Sequence, residues 1–187
     1  MTMHVLFRIF VAAVFVLAIP AAVRPALAAG SHDKIHDGAS SPNTGKPGNV
    51  VDATRTIEIV MHDNYYEPES LNLKEEETVR FVIKNVGEFV HEFSIATPEM
   101  HVAHQPEMMM MMEHGVLEPD RINWEAAKKM QASMGHGMHK EGNSVLVEPG
   151  KSAEIIWTFP KHATLQFACN VPGHYDSGMQ GEIKLSH

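Results

Sequence analysis

Alternating apolar and polar positions fill two separate parts of the chain, residues 54–97 and 144–187. In Thr56-Ile57-Glu58-Ile59-Val60-Met61, the residues Ile57, Ile59 and Met61 fall on one face, because successive strand residues point to opposite sides. Asn64–Pro68 reads as a turn or irregular crossing, and Leu71 and Leu73 resume the alternation. Thr78–Asn85 combines β-branched and aromatic residues in a strong strand pattern. After a turn at Gly87, His91-Glu92-Phe93-Ser94-Ile95 alternates again, with His91 at the end of the row shared by Phe93 and Ile95. Further strands are predicted at Ser144–Val147, Glu154–Phe159, Thr164–Ala168 and Gly181–Leu185, with Pro149-Gly150 and Pro160 as breaks. Seven or eight short strands separated by turns predict an all-β fold, an antiparallel β-sandwich with Greek-key connections.

The pattern changes between Pro98 and Asn143. Pro106 can open a helix that ends near Gly115, and Asp120 can cap a second one with Ala126, Met130 and Met134 on one face and Gly135 past its end. This partly helical insertion, 98–143, holds nine of the 13 methionines: Met100, Met108 to Met112, Met130, Met134 and Met138. It also holds His101, His104, His114, His136 and His139. Packing on the sandwich explains Met130 and Met134, since methionine fills gaps well. It explains five consecutive methionines poorly, because a helix presents them on every side. Thioether and imidazole are ligands for Cu(I), so the insertion is a candidate for additional Cu(I).

The N-terminus sets the compartment. Arg8, the apolar run Ile9–Ile19 and the small residues around Leu27 in Ala26-Leu27-Ala28 match a cleavable export signal. The run falls short of the ~20 apolar residues that span a bilayer; an uncleaved anchor is the alternative. The organisation expected is a signal peptide at 1–28, a flexible Gly/Ser/Pro/Asn-rich leader at 29–53 carrying His32 and His36, and a domain at 54–187. Loss of 1–28 removes Arg8 and Arg24 and no acid, taking the formal charge from −8 to −10. That acidity argues against nucleic acid or an anionic membrane as partner and permits a cationic protein. An exported chain with one cysteine has no internal disulfide, so Cys169 is buried and inert, paired between chains, or metal-bound.

Its surroundings favour metal. Cys169 is followed by His174 after four residues and by Met179 after four more. Thiolate, imidazole and thioether, with a second imidazole, are the donor set of a mononuclear copper electron-transfer site. His91, at a strand edge, is the natural fourth ligand, while His62 and His162 lie beside turn signals and are read as solvated. Zinc is the structural alternative, but it rarely takes methionine. A binuclear site would need a second cysteine. No Ser/His/Asp set, phosphate loop or carboxylate pair points to an enzyme.

Asn85-Val86-Gly87, His91, and then Pro172-Gly173-His174-Tyr175 followed by Gly178-Met179-Gln180-Gly181 resemble the cupredoxin family over about residues 54–97 and 144–187. The resemblance implies a cupredoxin-like Greek-key sandwich with one type 1 copper held by His91, Cys169, His174 and Met179. Glu92 departs from the pattern, since many relatives have Asn there to brace the ligand loop; Asn85 and Asn170 are the candidate replacements. Among cupredoxins, an exported single domain with a Met/His-rich segment is most similar to the CopI-type proteins of bacterial copper tolerance. This implies a periplasmic copper-binding protein that handles or detoxifies copper with a redox-active ion. Copper ions would be its ligand and a periplasmic redox or copper-export protein its partner, with no membrane association after signal cleavage. The competing expectation is a soluble one-electron carrier, with His174 as electron port and Phe89, Val90, Val171 and Pro172 as an apolar docking patch.

Overall fold

The computed structural model describes residues 43–134 and 142–187. Besides a 3-10 turn at Val50–Asp52, these contain ten strands and two α-helices in the order β1 (Lys46–Pro47), β2 (Arg55–His62), β3 (Tyr65–Glu67), β4 (Ser70–Lys74), β5 (Thr78–Asn85), β6 (His91–Ala96), α1 (Pro98–Glu113), α2 (Trp124–Met134), β7 (Ser144–Val147), β8 (Ser152–Thr158), β9 (Leu165–Ala168) and β10 (Gln180–Ser186). They build two five-stranded sheets, β1-β8-β5-β2-β3 and β4-β10-β9-β6-β7. Both sheets are mixed: β2 runs parallel to β5 and β4 parallel to β10, while the remaining pairs are antiparallel. Strict antiparallel order fails because alternation fixes which face a residue takes and says nothing about which strand lies beside it.

The core between the sheets follows from that alternation. Val79, Phe81 and Ile83 of β5 are fully buried, as are Phe93 and Ile95 of β6 and Phe167 of β9. Phe93 packs on Phe81 and Phe167 with ring centroids 5.5 and 5.6 Å apart, and Tyr66 meets Phe167 edge-on at 5.1 Å. The Tyr66 hydroxyl, deep in this core, donates to the Glu92 carbonyl at 2.6 Å. That bond satisfies the one buried side-chain polar group of β3, the segment read as an irregular crossing, which here pairs with β2.

The end of the stretch read as a leader lies on the sheet. β1 pairs with β8, the Gly48 amide donates to the Ile156 carbonyl at 2.9 Å, and the Trp157 indole donates to Thr44 O at 2.8 Å. Residues 1–42, with the signal, His32 and His36, fall outside the described residues, as do His136, Met138 and His139.

The insertion is helical but starts elsewhere than predicted. Thr97 caps α1 by accepting from the Met100 amide at 3.3 Å, Pro98 takes the first turn, and Pro106 sits inside the helix. The second helix is capped by Asn123, whose Oδ1 accepts from the Ala126 amide at 3.0 Å, and not by Asp120. Each start has two candidate signals in the sequence, Pro98 or Pro106 for α1 and Asp120 or Asn123 for α2, and tertiary packing selects between them. α1 covers the outer face of β6, so Glu92, Ser94 and Ala96 are buried along with the inner row and all six residues of the strand are out of solvent. Met108, Met111 and Met130 are buried and Met110 packs against them, whereas Met109 and Met112 stay exposed. Packing therefore accounts for three of the five consecutive methionines, more than the sequence suggested.

Candidate metal centre

Cys169 directly follows β9, and Met179 directly precedes β10, so two paired strands fix both ends of the loop between them. Main-chain bonds close it: Cys169 N–H to Met179 O at 3.0 Å, Met179 N–H to His174 O at 3.0 Å, and His174 N–H to Val171 O at 2.9 Å. Gly173 (φ +87°) and Gly178 (φ +97°) supply the left-handed turns that the reversal needs. His91 opens β6, which pairs with β9 through Ser94 and Ala168, so the sheet itself carries His91 to the cysteine.

The three donors converge. His91 Nδ1 lies 3.2 Å from His174 Nδ1, and Cys169 Sγ lies 3.4 Å from His174 Nδ1 and 3.9 Å from His91 Nδ1. A point equidistant from these atoms sits about 2 Å from each, which is the length of a first-row metal–nitrogen bond. Met179 is fully buried, and its main chain bonds Cys169 on one side and His174 on the other. His62 lies outside this triangle, stacked on Tyr65 and 3.7 Å from Glu67. His162 lies beside Glu75 in a different part of the molecule.

Orientation comes from residues around the donors. The Nε2–H of His91 donates to Asp63 Oδ1 at 2.9 Å, which leaves the Nδ1 lone pair aimed at Cys169 and His174. Asp63 also accepts from the amides of Glu88 and Phe89. A Cβ on Gly87 would sit 2.2 Å from Asp63 Oδ1, so only glycine lets the carboxylate reach. Asp63 was missed by sequence reasoning. It is a lone acid in a turn, and only the parallel β2·β5 pairing, with Met61 beside Asn85, brings it to the His91 loop.

The bracing left in doubt by Glu92 is shared out. The Glu92 amide donates to Cys169 Sγ at 3.3 Å. Its carboxylate accepts from the Asn170 amide at 3.2 Å and from Asn170 Nδ2 at 2.7 Å, and also from Ser144 Oγ. Asn170 in turn accepts from Gln105 Nε2 of α1 at 3.0 Å. Asn85 holds the preceding loop, donating to Phe89 O at 2.7 Å and Val147 O at 2.8 Å. Glu92 thus replaces an amide with an acceptor, and Asn170 provides the donors.

Burial pushes the Cys169 thiol up to about 12, against the opposing pull of the Glu92 amide. Burial also lowers His91, despite Asp63, and lowers His174, with His91 adding to the effect. In the metal-free triangle burial therefore favours the neutral forms of the thiol and of both imidazoles. Two nitrogen lone pairs and one displaceable proton suit a cation that binds thiolate. Desolvation opposes ionisation of the buried Glu92 carboxyl, but His104, Ser144 and Asn170 hold it below its ordinary value.

Of the expected docking patch, Phe89 is exposed and meets the edge of the His174 ring at 6.5 Å, but Val90 and Val171 are buried in the core. Val86, which sequence reasoning passed over, is exposed instead.

Comparison with known proteins gives concordant results. The family model described as a cupredoxin-like domain matches residues 9–102, which include His91 and end before Cys169. The copper-resistant cuproprotein CopI of Pseudomonas aeruginosa is 46% identical over 151 residues, covering 75% of this chain and 81% of that protein. The protein of the same name from Rubrivivax gelatinosus is 34% identical over 157 residues, covering 81% of each. Among solved structures, dithionite-reduced auracyanin from Roseiflexus castenholzii superposes with a TM-score of 0.52 at 20% identity, covering 72% of this chain and 99% of its own. Auracyanin B gives 0.51 at 18% identity, covering 78% and 99%. The fold is that of the cupredoxins, and the chain belongs to the CopI-type copper-resistance cuproproteins within that family.

Proposed function

We propose that this protein is a periplasmic type 1 copper protein that handles and detoxifies copper. The carrying observation is the convergence of His91 Nδ1, His174 Nδ1 and Cys169 Sγ on one point about 2 Å from each. His91, Cys169, His174 and Met179 would hold the ion through two imidazole nitrogens, a thiolate and a thioether. Copper held there supplies one-electron exchange between Cu(I) and Cu(II). The chain's part is to hold its donors still. Asp63 fixes the ring of His91, the Glu92 amide supports the sulfur, and the Glu92–Asn170 bonds tie β6 to the loop. Cys169 must lose its proton on binding, so affinity rises with pH through the acid range as the two imidazoles also become neutral. Export through residues 1–28 completes the reading; among the described residues no helix is long and apolar enough to cross a membrane.

The relatives named for copper resistance support copper as cargo as well as resident ion. A cavity of about 440 Å³ between α1 and the β6–β7 edge is lined by Met100, His104 and Met108, with Glu92 at its wall and Trp124 among its lining. Those three recur at every fourth position and so share one face of α1. Two thioethers and one imidazole are a Cu(I) donor set, so additional Cu(I) belongs in this cavity.

The second reading is a one-electron carrier, favoured by Phe89, exposed and set against the His174 ring. A deletion strain separates the two. Growth should fall in excess copper and recover with the wild-type gene but not with Cys169→Ser. Slowed respiration at ordinary copper, with unchanged tolerance, would favour the carrier.

A further inference from the structure

We propose that Glu75, His162 and His187 form a second metal site, for a divalent cation of borderline softness, on the end of the sandwich away from Cys169. Three segments meet there. Glu75 lies in the β4–β5 turn, His162 in the β8–β9 loop, and His187 just past β10. Glu75 Oε1 lies 3.3 Å from His162 Nδ1, and Glu75 Oε2 lies 3.0 Å from His187 Nδ1. One ligand atom from each of the three falls within 4.8 Å of the others. Donors bound at about 2 Å to one ion sit roughly 3–4 Å apart, so little movement is needed.

The main chain holds the cluster in place. The Glu75 amide donates to Ser186 O at 2.9 Å, fixing the approach of His187, and the His162 amide donates to Glu75 Oε1 at 2.8 Å. His162 takes φ +51°, a left-handed conformation that an L-residue with a side chain adopts at a cost. Glu75 is largely buried while both rings are exposed, so an ion can arrive from solvent at a fixed carboxylate. Lys161, next to His162 in the chain, is paired with Glu76 at 3.0 Å.

Two imidazoles and a carboxylate, with positions left for water, suit Cu(II), Ni(II) and Zn(II), and Cu(II) binds such sets most tightly. The set has no sulfur, so it differs from both the Cys169 triangle and the α1 cavity. β5 runs from the Glu77 turn to Asn85 beside the His91 loop, eight residues or roughly 25 Å at strand rise, so the two sites act independently.

The test is titration of Cu(II) beyond the equivalent that saturates the visible band, read by electron paramagnetic resonance. The wild type is compared with Glu75→Gln, His162→Asn and His187→Ala. Asparagine tolerates the left-handed backbone, and His187 lies outside every strand, so these variants keep the fold. Each should retain the visible band and lose one further Cu(II), with apparent affinity at that step falling tenfold or more. In the wild type, a fraction of an equivalent of Cu(II) added beyond the one that saturates the visible band should broaden the ring resonances of His162 and His187, and Zn(II) should compete more weakly. Equal stoichiometry and affinity in all four proteins would overturn the site. Loss of the extra ion in the variants of a protein that shows no visible band would uphold this site and refute the type 1 reading.

Discussion

The Cys169 loop and the α1 cavity contain the same kinds of soft donor and are built in opposite ways. In the loop, every candidate ligand is locked by main-chain bonds or by the strand it opens, and three donor atoms already surround one point. In the cavity, Met100, His104 and Met108 share a helix face but belong to flexible side chains in a space of about 440 Å³. His104 is also engaged with Glu92 and Glu107. A locked site suits an ion that changes oxidation state, because it resists rearrangement. A loose one suits capture and release. Donor chemistry and rigidity are thus separable in this chain.

The largest effect is expected at the sulfur. Cys169→Ser should abolish the intense visible band of the Cu(II) protein while the sandwich still folds, since the bonds that close the loop are main-chain bonds. Circular dichroism and the absorption spectrum check both halves; a strongly coloured variant would remove Cys169 from the site.

Next come the supports of His91. Asp63→Ala frees the ring from its partner, and Gly87→Ala drives a methyl group into the space of the Asp63 carboxylate. Loss of such a partner costs about 10–100-fold in metal affinity. Competition with a chelator should show this loss in both variants while circular dichroism reports an intact sandwich. Unchanged affinity in both would mean that the strand alone positions His91.

These two groups of residues differ in how far the sequence revealed them. Cys169, His174 and Met179 share one short loop, so their spacing was legible without a fold. His91 was legible at the rim of an inward row on β6. Asp63 was not, because its role depends on a parallel pairing that alternation does not encode. The long strands β5 and β8 were read nearly to their ends, while β1 and β3, two and three residues long, carry too little pattern to be seen. The burial of Glu92, Ser94 and Ala96 was hidden for a related reason: α1 folds back over that face, and alternation along β6 does not show what covers it.

That cover changes the test of the insertion. With a short turn in place of 98–143, a visible band that survives is the outcome that sequence alone suggests. In the structure the insertion contributes Met108, Met111, Val116, Leu117, Ile122 and Met130 to the core, and its Pro119 carbonyl accepts from the Val90 amide at 2.7 Å beside His91. Removing it would uncover a buried carboxylate and loosen the ligand strand. The sharper variant is Met100→Leu/His104→Gln/Met108→Leu, which keeps α1 and its volume. It should lose one Cu(I) equivalent by chelator competition at neutral pH and keep the visible band. In the wild type, binding that rests on the thioethers should persist at mildly acidic pH, and the share due to His104 should weaken as the ring protonates. Equal Cu(I) stoichiometry in both proteins would make these methionines packing only.

The smallest effect concerns the joint between the two regions. Glu92 and His104 face each other at 3.6 Å, one from the ligand strand and one from α1. Glu92 is held below its ordinary value, since bonds from His104, Ser144 and Asn170 outweigh desolvation. Its contribution to stability is therefore present above the ordinary carboxylate range and is lost as pH falls through the lowered folded value. His104 is raised above its ordinary value by its bond to Glu92, with Glu107 helping and burial opposing. Its contribution is complete below the ordinary histidine range and is lost as pH rises through the raised value. Metal-free protein should accordingly be most stable between the lowered carboxylate value and the raised histidine value, with a shallow decline on each side. Glu92→Gln keeps the shape and one acceptor but removes the charge that both shifts need. It should lower stability by about 1.5–3 kcal/mol, the scale of a hydrogen bond to a charged group. It should also flatten both limbs of melting temperature against pH. A variant that lowers stability equally at every pH would show that Glu92 acts only as a neutral hydrogen-bond acceptor. The ligand strand and α1 would then be joined by packing and not by charge.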